Sequence, residues 1–145
     1  MEQAKRYPQC NLAACMLPWT EDFELDVPVF ERHVQNAIDG GYKHIYLMGT
    51  AGEGYALNDA RFRQVVDIFA GLTVRDGLDP QIGFVGLSME HIMERFQTAY
   101  NMGIRMFQIS LPSWARSTSR KLCCTSRPSA AASWTAVSFT TTCRG

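Results

Sequence analysis

Residues 49–54 read Gly-Thr-Ala-Gly-Glu-Gly. Glycines at this spacing let a backbone approach another group closely, and between them stand a hydroxyl, Thr50, and a carboxylate, Glu53. Backbone N–H groups at a glycine-rich turn ahead of a helix can hold a small anion. Thr50 can donate and accept, which suits it to bind a carboxylate or relay a proton. The glycine order is G-x-x-G-x-G, not the dinucleotide order G-x-G-x-x-G, and no Gly-Lys-Ser/Thr ending supplies a lysine for a nucleotide phosphate. A helix beginning near Leu57-Asn58 starts several residues past Gly54, which also counts against a nucleotide cradle. Glu53 is placed to brace the loop by holding its amides rather than to act as an acid or base.

The other reactive residues are dispersed. His33, His44 and His91 share no spacing for a metal or a catalytic triad and read as helix-face or solvated histidines. Cys10, Cys15, Cys123, Cys124 and Cys143 form no C-x-x-C pair and no zinc pattern, and an odd, irregular set fits free thiols in a reducing cytosol. Ser88 stands at a strand end but is accounted for as a helix cap.

The elements that must position these residues alternate. Leu12–Leu17 is an apolar run stopped by Pro18, a first strand. Asp26 caps a helix with Pro28 in its first turn, Phe30, Val34, Ala37 and Ile38 on one face, and Gly40-Gly41 at its end. Ile45–Met48 is a second strand. Asn58 caps a second helix with Phe62, Val65, Val66 and Phe69 inward. Ile82–Leu87 is a third strand, Ser88 caps a third helix striped by Ile92, Phe96, Ala99 and Tyr100, and Gly103 ends it. Met106–Leu111 is a fourth strand, stopped by Pro112. The order βαβαβαβ implies a parallel sheet with right-handed crossovers, either a doubly wound open sheet or half of a (β/α)8 barrel.

The chain reads as two texts. Of 145 residues, 46% are hydrophobic and 19% charged, enough for a packed core. Formal net charge is zero, which argues against a general nucleic-acid binder, and no apolar run approaches the ~20 residues of a membrane helix. Met1–Arg6 has no apolar stretch behind its charges, so no secretory leader is expected. Residues 115–145 hold five basic residues and no acid, are dense in Ser, Thr, Ala and Arg, and keep no period of 3.6 or 2. The expected division is a partial barrel domain at 1–114 and a poorly ordered or frame-shifted tail at 115–145. One apolar patch in the tail, Ala130–Phe139, can form a weak strand or helix.

The stretch GGYKHIYLMGTAGEGYALNDARFRQVV resembles the signature at the second strand of the dihydrodipicolinate synthase and N-acetylneuraminate lyase family. Leu17-Pro18-Trp19, Gly83-Phe84-Val85-Gly86 and Gly103-Ile104 through Leu111-Pro112 fit the first, third and fourth strands of that family, so the resemblance covers roughly Leu12 to Trp114. It implies the N-terminal half of a (β/α)8 barrel. It also implies class I aldolase or lyase chemistry, in which a lysine forms a Schiff base with pyruvate or another 2-oxo acid, without metal or cofactor, in a cytoplasmic homo-oligomer. By the resemblance, Thr50 is the proton-relaying hydroxyl, and the backbone at Ala51 and Gly52 faces the substrate carboxylate. Ala51 departs from the pattern, where a second threonine is usual, and removes a hydrogen bond to a charged group that is typically worth about 1.5–3 kcal/mol.

The family's lysine belongs to a sixth strand and its tyrosine to a Tyr-Asn-x-Pro motif on the fifth, and neither is present. Lys5, Lys43 and Lys121 match no catalytic position. Without them neither the imine nor its proton shuttle forms. The expected function is therefore that of a truncated relative, inactive alone, against two alternatives: a non-catalytic half barrel needing a partner chain, or a small α/β anion-binding domain. The tail suggests a cause. Read from the third base of each codon into the next, Phe139–Arg144 can encode His-Tyr-Asn-Leu-Pro, and Trp114-Ala115 must encode Gly, as a frame shift after Trp114 would produce.

Overall fold

The computed structural model describes residues 10–110 and the backbone of 137–139. Strand β1 (Leu12–Cys15) is followed by helix α1 (Val27–Asp39), β2 (His44–Leu47), α2 (Asp59–Thr73), β3 (Asp79–Val85), α3 (Met89–Asn101), β4 (Met106–Ser110) and β5 (Val137–Phe139). The five strands form one sheet in the order β1-β2-β3-β4-β5, and every neighbouring pair is parallel. Sequential order with helical crossovers is the wall of a (β/α)8 barrel and not a doubly wound sheet, whose strand order reverses.

The helices start where local chemistry dictates. Asp26 Oδ1 accepts from the amide of Val29, Asn58 Oδ1 from that of Arg61 at 2.9 Å, and Ser88 Oγ from that of His91. Gly41 and Gly103 follow the ends of α1 and α3 with φ of 81° and 96°, the left-handed conformation that glycine adopts without a steric cost.

Strand alternation divides the sheet. Cys15, Ile45, Leu47, Ile82, Phe84, Phe107 and Ile109 are buried. They join Phe30, Val34, Phe62, Val65, Phe69, Ile92, Phe96 and Ala99 of the helices in a single core. Its centre is aromatic, with Phe84 5.7 Å from Phe107 and Phe107 4.5 Å from Phe96 between ring centroids. The opposite face carries Ala14, Tyr46, Gln81, Gly83, Gln108 and Ser110, the alternate residues that line the inside of a barrel.

Several boundaries differ from expectation. β1 stops at Cys15, two residues before the expected Leu17, and β2 spans His44–Leu47 rather than Ile45–Met48. β3 begins at Asp79 rather than Ile82, because Pro80 sits where β3 pairs only with β2, before the pairing with β4 begins at Gln81. It also stops at Val85, two residues before the expected Leu87. A 3-10 turn, Gly54–Ala56, stands between the glycine loop and α2. In the tail, Val137–Phe139 pairs with Phe107–Ile109, within the patch expected to form a weak strand or helix. Leu111, Pro112, the boundary at Trp114 and the rest of the tail lie outside the described residues. Among the described residues no helix is long and apolar enough to cross a membrane.

Candidate functional site

The loop after β2 lies at the carboxyl end of the sheet, the end at which barrel enzymes build their sites. Met48, fully buried, turns the chain with a left-handed φ of 60°. A non-glycine residue held there stores strain, on the order of 1 kcal/mol or more. The loop then folds back over Met48. A Cβ at Gly54 would lie 2.6 Å from Met48 Cβ and 3.0 Å from its carbonyl oxygen, so only glycine allows the approach. Internal bonds close the turn: the Gly52 amide donates to Gly49 O at 3.0 Å, and the Ala56 amide to Glu53 O at 2.9 Å. Glu53 takes φ 54°. The consequence is polarity of exposure: Gly52 and Gly54 are buried against the sheet, while Thr50 and Ala51 are exposed at the apex.

The loop is held from behind by a residue that the sequence reading passed over. Arg95 of α3 is buried, with its guanidinium 4.9 Å over the Phe62 ring. Nη1 donates to Gly54 O at 3.0 Å, Nη2 donates to Leu57 O, and Nε donates to Asp59 Oδ1 at 3.1 Å. The planar fork of arginine can satisfy two carbonyls and a carboxylate at once, which the point charge of lysine cannot. Its signal in the sequence was positional, since 95 is i+3 from Ile92 and adjoins Phe96 on the inward stripe.

Glu53 does brace the loop, through a partner other than the amides expected. Its Oε2 accepts from Trp19 Nε1 at 3.0 Å, tying the loop after β2 to the loop after β1. Arg61 strengthens this corner, donating to Glu24 Oε1 at 2.7 Å and standing 5.6 Å over the Trp19 ring.

Tyr46, on β2 and facing the barrel interior, was likewise not singled out from sequence. A Cβ at Gly49 would fall 2.6 Å from Tyr46 Cε1 and 3.1 Å from its Oη, and a Cβ at Gly83 would collide with Oη. The two glycines therefore clear a slot for the ring, and the phenol lies at the level of Gly49, one residue before Thr50. Burial raises the phenol pKa, because the phenolate is poorly solvated there.

The remaining candidates fall away from this corner. Lys43 is exposed just before β2, at the amino end of the sheet, and the four-residue strand between it and the loop spans roughly 13 Å at about 3.3 Å per residue. Lys5 and Lys121 lie outside the described residues. His44 pairs with Asp79 at 3.4 Å at that same amino end, and His91 faces Asp59 at 3.5 Å beside α2. Ser88 serves its helix as a cap. Cys10 and Cys15 are free thiols, and burial pushes the Cys15 pKa up to about 11, which keeps it an unreactive thiol at neutral pH. Among the described residues no three His, Cys, Asp or Glu side chains converge on a point.

No protein-family model matches the chain. N-acetylneuraminate lyase of Pongo abelii is 35% identical over 101 residues, which are 68% of this chain and 31% of that protein. Among solved structures, N-acetylneuraminate lyase of Proteus mirabilis superposes with a TM-score of 0.66 at 22% identity, covering 76% of this chain and 37% of that one. YagE of E. coli K12, a prophage protein of the dihydrodipicolinic acid synthase family solved in complex with pyruvate, gives a TM-score of 0.70 at 18% identity over 79% of this chain and 38% of its own. At such identities the structures speak to the fold, and the sequence relatives speak to descent. The chain spans about a third of the length of the curated relatives it matches, and over the matched residues it belongs to the dihydrodipicolinate synthase and N-acetylneuraminate lyase family.

Proposed function

We propose that Gly49–Gly54 is a loop that receives the carboxylate of a small 2-oxo acid such as pyruvate, in a chain whose own residues do not complete the imine chemistry. The observation that carries this reading is the division of the loop. Its glycines are locked against Met48 and Arg95, and Thr50 and Ala51 are left exposed at the carboxyl end of β2. Thr50 supplies a hydroxyl and the exposed Ala51 amide supplies the backbone contact, since the Gly52 amide already donates to Gly49 O. The barrel neighbour YagE, solved in complex with pyruvate, supports the substrate class. The described residues offer no amine at this end of the sheet, since Lys43 stands at the other. Incubating the 145-residue chain with pyruvate and borohydride, followed by mass spectrometry of its peptides, should show no reduced pyruvyl adduct on Lys43. An adduct there would overturn the claim that imine formation is absent.

A partner chain is the second reading, favoured by the outer edge of β1. No strand pairs with it among the described residues, and the neighbouring Leu12 and Met16 are 40% and 44% exposed. A homo-oligomer in the cytoplasm accords with the family resemblance.

For residues 115–145 we propose the frame shift after Trp114. The abrupt loss of acids and the encoded possibility of His-Tyr-Asn-Leu-Pro across Phe139–Arg144 both point that way. Sequencing the coding DNA checks it. The shifted frame should run open from Trp114 through codon 145 and spell a barrel-like strand, and a stop codon within it refutes the idea.

A further inference from the structure

The loop reading leaves one deficit, the hydroxyl missing at Ala51. We propose that the Tyr46 hydroxyl supplies the hydrogen bond to the ligand carboxylate that Ala51 cannot make. The proposal rests on the reading of Gly49–Gly54 as a carboxylate loop and adds a residue from the strand beneath it.

Three observations carry it. Tyr46 points to the barrel interior, where its register neighbours are Ala14 on β1 and Gln81 on β3. Ala14 is small and exposed, so the β1 side of the ring is open. Glycines at 49 and 83 make room for the phenol where any larger residue would push it aside. A ring placed only to fill space would need neither glycine, since a shorter side chain could fill the same interior.

The hydroxyl also has no hydrogen-bond partner among the described residues, while every buried side-chain polar atom among them has one. An oxygen without a protein partner that is not sealed off has its donor free for a ligand or water. Burial raises its pKa, so the group stays a neutral donor through neutral pH. A phenol donating to a carboxylate forms a charge-assisted bond, stronger than one between neutral groups.

The test is titration of the chain with carbon-13 pyruvate, followed by NMR, in wild type, Tyr46→Phe and Thr50→Val. Tyr46→Phe keeps the ring and removes a hydroxyl without a protein partner, so its melting temperature should match wild type within about 2 °C. Its pyruvate dissociation constant should rise about tenfold, as loss of one bond to a charged group predicts. Thr50→Val should weaken binding as well, and the ring resonances of Tyr46 should shift on saturation in wild type only. Binding that Thr50→Val weakens and Tyr46→Phe leaves unchanged overturns the role of Tyr46 and spares the loop. Wild type that shows no saturable pyruvate shift overturns both.

Discussion

Replacing Arg95 by methionine is expected to lower the midpoint of thermal unfolding by about 15 °C. Methionine keeps most of the aliphatic stem over Phe62 but removes every donor. The carbonyls of Gly54 and Leu57 then lose their side-chain partners inside the fold. An acceptor left unsatisfied costs about 1–3 kcal/mol. Two of them give about 3 kcal/mol, and each kcal/mol is worth roughly 4–8 °C in a domain of this size. The ion pair with Asp59 is the smaller contribution, because that carboxylate is 67% exposed and its charge is screened by water. Asp59→Asn should therefore shift the midpoint by a few degrees at most, and Arg95→Lys should resemble the methionine variant, since one ammonium cannot span both carbonyls. Calorimetry of the three variants separates the effects. If Arg95→Met melts within 3 °C of wild type, water replaces the guanidinium and the loop is not held from α3.

Arg95 also marks the limit of what the sequence discloses. The alternation of strands and helices was legible because it rests on local rules. Asp26, Asn58 and Ser88 each cap the helix that follows them, and Gly41 and Gly103 each take the left-handed turn that ends one. The inward stripes were legible because 3.6-residue periodicity puts Phe62, Val65, Val66 and Phe69 on one face. The start of β3 was not legible, because proline ordinarily interrupts a strand and only the three-dimensional register places Pro80 where β3 has one neighbour. Arg95 escaped for a different reason, and Glu53 was legible as a brace but not by its partner. A charged residue in a helical stripe reads as solvated, and the partners are long-range: Gly54 stands 41 positions from Arg95, and Trp19 stands 34 from Glu53. Tyr46 sat inside an apolar strand, and only the glycines at 49 and 83, on two other segments, reveal that its ring has been given room. The loop motif disclosed descent, and the contacts that shape the loop are long-range.

Gly83 supplies the sharpest conflict between a local and a long-range rule, and Gly83→Val decides it. Strand propensity favours the change, because glycine inside a strand gives up entropy and packs nothing, a difference of up to ~1 kcal/mol. The space forbids it. A Cβ at 83 would collide with Tyr46 Oη and lie 2.6 Å from the carbonyl oxygen of Met48, which is backbone and already held in a strained turn. β3 cannot retreat, because it is paired to Leu47 and its neighbours on one side and to Gln108 and its neighbours on the other. Overpacking of this kind costs about 1–3 kcal/mol and more when backbone must move. Valine adds two further carbons, so the expected outcome is a loss of at least about 3 kcal/mol, with the loop after β2 displaced. Gly83→Ala should fall in the same direction by a smaller amount. Combining Gly83→Ala with Tyr46→Phe tests the cause, since removing Oη relieves one contact and leaves Met48. The double variant should then be more stable than Gly83→Ala alone, a coupling that independent sites do not show. Denaturant unfolding measures all four proteins, and a Gly83→Val chain as stable as wild type would mean that the slot beneath the loop is not closed by Tyr46 and Met48.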